Sequence, residues 1–307
     1  MSALGSTMKF SAVRDFIAVA ERGGLRAAAR HLGQAQPVIT RSIQDLEKEL
    51  GVTLFERSAQ GVRLTPIGQT FLRRAYSVRN ELQKAKEEID QLRGKAHGTV
   101  TACLSSVPHL ALLPNALGPF RKQFPTVELD LMDATFPNIE VLLLEGRVDL
   151  YVGPVPAKLQ PALQGEKLFD NTRVILGRKG HPLAGARSLS ELTGAEWITT
   201  SITNKAEEEI GPMFTQHGLP PPRLAMRAQS AQTFLVAMVY SDLLMMLPVQ
   251  WVKFPLWRDV LQQIHVTEAL PAPSIYMVRR AGMPLTPAAE YFCDMVRRAS
   301  GHMDSLS

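Results

Sequence analysis

The chain has 307 residues, 45% hydrophobic and 21% charged, with a net charge of +5. That length suits about two globular domains, and no apolar run approaches the ~20 residues of a membrane-spanning helix. Cys103 and Cys293 are too far apart for a CxxC motif and too few for a disulfide framework. With no signal-peptide core after the polar start, the expectation is a cytoplasmic protein with no metal, no cofactor and no membrane partner.

The charge is uneven. Residues 1–98 carry 16 Lys and Arg against 10 Asp and Glu, and the rest carry 18 against 19. A basic excess at one end suits a polyanion, although a solvated basic surface would look the same.

Phe10, Val13, Phe16, Ile17 and Ala20 recur at helical spacing over 10–21, and Gly23-Gly24 ends that helix. A short Ala-rich helix over 25–32 stops at Gly33. A third begins near Gln36-Pro37, with Pro37 expected at the first helical position, where a missing N–H is harmless. Its buried stripe is Val38 or Ile39, then Ile43, Leu46 and Leu50, and Gly51 stops it. Residues 54–57 and 62–64 read as two short strands forming a wing. Thr65-Pro66 is an N-cap and first-turn pair. From there Ile67, Phe71, Ala75, Val78, Leu82, Ala85, Ile89 and Leu92 form a heptad-like seam on a long helix, which predicts self-dimerisation; packing on its own domain is the alternative.

Residues 94–98 read as a hinge. Strands and helices then alternate: strands at 100–104, 127–132 and 148–152, and helices at 110–124 and 138–145. This order implies a parallel sheet with crossover helices. Further on, 172–177, 196–199, 224–228, 243–246 and 275–279 read as extended. Residues 207–217, 231–240 and 286–299 read as helical.

The stretch 16–66 resembles the DNA-binding domain of LysR-type transcriptional regulators. The resemblance rests on Phe16, Ala20, Leu25, Ala27-Ala28-Ala29, Leu32, Gln36-Pro37, Ile43, Leu46-Glu47, Leu50-Gly51, Leu54-Phe55, Arg57 and Leu64-Thr65-Pro66, with Gly68 just beyond. The remainder is similar to that family's effector domain through Gly98, Pro114, Phe120, Phe124-Pro125, Gly146, Asp149, His181-Pro182, Ser241-Asp242 and Leu247-Pro248. Ala35 departs from the serine many relatives carry before Gln-Pro, so a cap is missing. A narrower similarity, in residues 240–244, 269–276, 279–280 and 285–289, is to regulators of toluenesulfonate degradation and implies an anionic, aromatic effector.

The resemblance implies an α/β protein with an N-terminal winged helix-turn-helix, a long linker helix and a two-lobed effector domain like type 2 periplasmic binding proteins. The expected divisions are a disordered extension (1–7), the DNA-binding head (8–65), the linker helix and hinge (66–98) and the effector domain (99–307). The lobes are expected at 99–170 with 270–307, and at 171–269. Implied partners are promoter DNA, a small-molecule effector and further copies of the chain in a homodimer or homotetramer, with RNA polymerase a candidate.

A recognition helix places its N-terminal residues at base edges in the major groove. The candidates there are Gln36, Pro37, Val38, Thr40, Arg41 and Gln44, with Arg30, Arg57 and Arg63 placed for phosphates. In the effector domain, Ser105, Ser106, Thr135, Phe136, Thr199, Thr200, Ser201, Ser230 and Phe234 follow strands or open helices, where α/β sheets bind ligands. Each hydroxyl alone could be a simple helix cap. An enzyme is not expected, because no acidic group or Gly-x-Ser-x-Gly turn accompanies Ser105 and His109, and His181 reads as a solvated loop residue. The other reading is a solute-binding or enzymatic domain fused to a DNA-binding module. Both cysteines read as buried, which argues against a peroxide sensor.

Overall fold

The computed structural model describes residues 8–58, 61–95, 97–200, 206–228 and 230–301. The extension 1–7 and Ser201 lie outside these residues. Three helices form the head: α1 (Phe10–Arg22), α2 (Leu25–Leu32) and α3 (Gln36–Leu50). Strands β1 (Phe55–Ser58) and β2 (Gly61–Leu64) pair antiparallel as the wing. Phe16 is fully buried at the centre, its ring 5.1 Å from Phe55 and 5.0 Å from Phe71. Gly23, Gly33 and Gly51 each end their helix at positive φ, the left-handed stop only glycine adopts without strain.

Helix α4 (Pro66–Leu92) follows. Thr65 caps it, accepting from the Gly68 N–H at 2.9 Å while donating to the Thr53 carbonyl at 2.8 Å. Gly68 has a packing reason: a Cβ there would collide with the Leu54 carbonyl.

Beyond it lie β3 (Thr99–Leu104), α5 (Ser106–Ala111), α6 (Leu113–Gln123), β4 (Glu128–Asp133), α7 (Asn138–Leu144), β5 (Leu150–Gly153) and β6 (Leu163–Arg178). A 3-10 turn (Leu189–Leu192), β7 (Glu196–Thr200), α8 (Ala206–Gln216), β8 (Arg223–Ala228) and α9 (Ala231–Val239) come next. The chain closes with β9 (Met245–Pro248), α10 (Gln250–Lys253), β10 (Leu261–Ile264), β11 (Pro271–Arg280) and α11 (Pro287–Gly301).

Strands β5, β3 and β4 are parallel neighbours, and β11 joins them antiparallel through β5. The long strand β6 ties two sheets together. Its residues 163–172 pair with β11, while 173–176 pair with β9 on one side and 175–178 with β10 on the other. The parallel pair β7–β8 is linked to the second sheet by a bridge between Trp197 and Leu244. The cores lie on the faces of the sheets, so that successive residues of one strand enter different cores. One gathers Phe120, Phe292 and Val296, two others gather Phe234 with Trp251 and Trp197 with Phe214.

Several expectations are corrected. The single helix over 110–124 is two helices broken at Leu112, because Pro114 has no N–H to offer the preceding turn. Strand β6 begins nine residues earlier than the extended stretch at 172–177, since its first half is largely solvent-facing and carries no apolar alternation. Short elements α10 and β10 were not expected at all. The N-terminal residue of α3 is Gln36, so Pro37 occupies the second helical position. His181 is buried, not solvated: its Nδ1 accepts from the Leu183 N–H at 3.0 Å, which leaves Nε2–H to donate to the Asp242 carbonyl at 3.0 Å.

Candidate nucleic-acid interface and ligand cleft

The recognition helix is set by what it buries. Ile39, Ile43 and Leu46 face the head core, which turns Gln36, Pro37, Val38, Arg41 and Gln44 outward. All five are exposed, Val38 at 54%. An apolar side chain left this exposed at a helix start suits a thymine methyl. Thr40 is different, because its hydroxyl donates back to the Gln36 carbonyl at 3.0 Å. Ala35 caps with no side-chain bond. Arg41 lies 3.9 Å from Asp45, too loose and too exposed to hold it from DNA. Arg30 and Arg63 are exposed on α2 and the wing; the Arg57 side chain lies outside the described residues.

Two positioning features were not read from the sequence. Asp15 is buried, takes the Ser42 hydroxyl at 2.7 Å and the Arg14 guanidinium at 2.9 Å, and so ties α1 to the recognition helix. Glu47 accepts from the Leu54 and Phe55 N–H groups at 2.6 and 3.1 Å, which fixes the wing to α3. Asp15 interrupts an apolar run and Glu47 sits on the inner side of α3, so each offered a signal of a buried charge.

In the effector domain, β3 is the switch point of its sheet: β4 lies on one side and β5 on the other. Ligands of open α/β sheets bind beyond such strand ends. Ser105 follows β3 directly. Its N–H bonds the Val152 carbonyl at 2.9 Å, and its hydroxyl is buried with no partner. Gly153, at the end of β5, leaves room for it, since a Cβ there would press on both Ser105 Oγ and the Tyr151 hydroxyl. Tyr151 donates to the Pro154 carbonyl at 2.9 Å, and burial pushes its phenol well above its ordinary pKa, so it stays neutral. Phe136 meets the Tyr151 ring edge-on at 5.2 Å. Ser106 and Thr135 are half-buried beside these groups in the chain.

The second sheet contributes less than expected. Thr199 is buried at the end of β7, and the side chain of Thr200 lies outside the described residues. Ser230 caps α9, accepting from the Thr233 N–H at 3.2 Å, so its hydroxyl has a structural task. Phe234 is a core residue packed 5.1 Å from Trp251. Leu110 from α5 packs against that same core, so the lobes touch here. None of the effector candidates among the described residues lines the cavity of about 310 Å³ beside Thr172 and Leu270, or that of about 470 Å³ beside the wing. Burial pushes the Cys103 thiol up to about 11 and that of Cys293 to about 12, so neither is a thiolate at neutral pH.

Arg41→Ala should weaken specific DNA binding by about 1–3 kcal/mol, the worth of one good base contact. The thermal melt should not move, because Arg41 touches no core residue. A gel shift with unchanged affinity would place the reading surface elsewhere.

Comparison with known proteins bears on both sites. Residues 10–69 match the family described as bacterial regulatory helix-turn-helix protein, lysR family, and residues 93–301 match the LysR substrate binding domain. The chain is 24% identical over 288 residues to the HTH-type transcriptional regulator TdcA of Escherichia coli K12, covering 94% of this chain and 92% of that protein. It is 29% identical over 285 residues to the SDS degradation transcriptional activation protein of a Pseudomonas strain, covering 91% and 92%. Its fold is similar to that of full-length CbnR complexed with target DNA, at a TM-score of 0.68 and 24% identity, over 95% of this chain and 99% of that one.

Proposed function

Given that the chain belongs to the LysR family of DNA-binding transcriptional regulators, we propose that a small organic anion held between its lobes adjusts how a dimer or tetramer engages promoter DNA. The observation that carries the effector reading is the unpartnered, buried hydroxyl of Ser105 at the switch point of the sheet. A buried donor without an acceptor is costly, and an anionic oxygen supplies what it lacks. The Phe136–Tyr151 pair beside it offers an aromatic wall. The relative named for SDS degradation and the similarity to toluenesulfonate regulators together favour a sulfate or sulfonate on an apolar body. In this reading the head is 8–65, the linker 66–98, and the lobes part where β6 exchanges β11 for β9 and β10. RNA polymerase contact and a cytoplasmic setting belong to the same reading.

The oligomer rests on α4. Phe71 and Ala75 pack on the head, but Val78, Leu82, Ala85, Ile89 and Leu92 leave an apolar stripe exposed along the rest of the helix. Such a seam is satisfied by a second copy.

The test for the cleft is titration calorimetry of the full-length protein with a panel of aromatic sulfonates and carboxylates. Ser105→Ala should weaken binding by about 1–3 kcal/mol, the range for losing a hydrogen bond to a charged group. Equal affinities in wild type and variant would move the effector elsewhere.

A further inference from the structure

Charge in the head is not confined to its surface. Asp15 is 3% exposed, within a run of α1 where Val13, Phe16, Ile17, Ala18 and Val19 are all buried. A carboxylate this deep costs stability unless it is paired, and an apolar residue would serve the core better. Its Oδ2 accepts from the Ser42 hydroxyl of α3 at 2.7 Å. Its Oδ1 accepts from Nε of Arg14 at 3.2 Å and from Nη2 at 2.9 Å. The Arg14 side chain is 43% exposed, and among the described residues its Nη1 has no acceptor. The guanidinium is therefore held by one edge, which leaves a second pair of N–H groups, one on each terminal nitrogen, directed elsewhere.

The periodicity of α3 puts this group beside the DNA-facing surface. Successive residues of a helix are about 100° apart. Ile43 is buried in the core, so Ser42 lies on the flank and Arg41 points outward, exposed. Val38, one turn nearer the helix start, shares that flank and is exposed too. The major groove is about 12 Å wide, and a helix with its side chains is about 10–12 Å across. A helix lying in it presents its outward face to base edges and its flanks to the two phosphate strands. A guanidinium bound to the same carboxylate as Ser42 stands on a flank.

We propose that Arg14 binds a backbone phosphate of DNA, and that buried Asp15 is the positioning residue that holds it there while fixing the recognition helix through Ser42. The ligand is one phosphodiester, taken by two parallel N–H groups, the geometry that favours arginine over lysine. One carboxylate thus sets the distance between the base-reading side chains of α3 and a backbone contact. Phosphate contacts fix register without carrying sequence information, so this contact governs how Gln36 and Arg41 enter the groove. The inference rests on α3 as the reading helix and is independent of the effector cleft.

The sign of one effect separates this arrangement from a general charge effect. Asp15 is an acid close to a polyanion. If only the net field of the head counted, Asp15→Asn would tighten DNA binding. If Asp15 holds Arg14 in place, the same substitution frees the arginine, whose side chain must then be ordered on binding, and DNA binding weakens.

The test is fluorescence anisotropy of the full-length protein over a salt series with two duplexes, one selected by the wild type from a random-sequence library and one of unrelated sequence. Arg14→Gln keeps a donor for Asp15 and removes the charge. It should raise the dissociation constant on both duplexes by roughly 10- to 100-fold, as for losing a hydrogen bond to a charged group. The slope of log affinity against log salt should flatten by about 0.9 for each head engaged. Asp15→Asn should weaken binding to both by roughly 2- to 150-fold, the span of couplings within one ion-pair network. Replacing single phosphates of the selected duplex by methylphosphonates should reveal a position in each half-site that matters to the wild type and not to Arg14→Gln. That map answers even if Asp15→Asn unfolds the head, which a circular dichroism melt reads. An unchanged salt slope or phosphate map in Arg14→Gln, or a folded Asp15→Asn chain that binds as tightly as wild type or more tightly, would overturn the proposal. Arg41→Ala should lower affinity for the selected duplex alone, so an error in placing α3 and an error in placing Arg14 give different results.

Discussion

A Leu82→Lys chain is expected to sediment as a monomer at concentrations where the wild type is a dimer. Leu82 is 53% exposed in the single chain, and Ile89 and Leu92 are exposed further along the same stripe. Among the described residues no apolar surface covers it, because α4 turns its polar face to the effector domain. Burying a leucine is worth about 1.5–3 kcal/mol. Two copies lose that contact, and each gains an ammonium in a site that excludes water. The combined loss of about 3–6 kcal/mol raises the dissociation constant by roughly 10²–10⁴-fold. The melt of the head should be unaffected, since Leu82 lies outside its core. Binding to a promoter with two half-sites should fall with the dimer, and binding to one half-site should not. A dimer that sediments intact would place the contact on another surface.

What could be read from the residues alone follows from how repetitive each signal is. The head and α4 were legible because apolar spacing, Gly stops and the Thr65-Pro66 cap agree over sixty residues. The alternating sheet was legible where strands are buried on both faces, as in β3 and β5. It failed in β6, whose first half carries Glu166, Lys167 and Asp170 toward solvent and reads as loop. The site was only half legible. A hydroxyl after a strand is visible in sequence at both Ser105 and Ser230. Which one is a free donor and which a helix cap depends on the Thr233 N–H in one case and its absence of any partner in the other. Phe234 was unreadable for a similar reason: an aromatic opening an apolar helix points to cleft or core according to packing across the lobe. The polar face of α4 was the largest omission. Asn80, Glu81 and Lys84 look like any solvated helix surface, and their partners Glu145, Arg280 and Asp149 are 65 to 199 residues away.

Removing the Lys84 charge alone should cost the effector domain about 3–5 kcal/mol of stability at neutral pH, the usual penalty for stranding one member of a buried ion pair. The pair is well enclosed: the Lys84 side chain is 17% exposed and that of Asp149 7%. Burial holds the Asp149 carboxyl above its ordinary range, and Glu87 adds to this, while Lys84 and the Thr101 N–H pull it down. A raised value in the folded state means that the fold keeps a proton the unfolded chain releases. The stability linked to this site is therefore full at low pH and lost as the pH rises through the raised value. Lys84→Met deletes the main opposing force, so the carboxyl rises further and the loss deepens toward neutrality. The urea midpoint of Lys84→Met should accordingly fall furthest below wild type at neutral pH and close on it as the solution is acidified. Adding Asp149→Asn to Lys84→Met should recover most of the loss at neutral pH, because the amide still accepts from the Thr101 N–H and carries no charge to strand. A deficit that does not change with pH, or a double variant no more stable than Lys84→Met, would mean that Lys84 acts through packing of its chain and not through its charge.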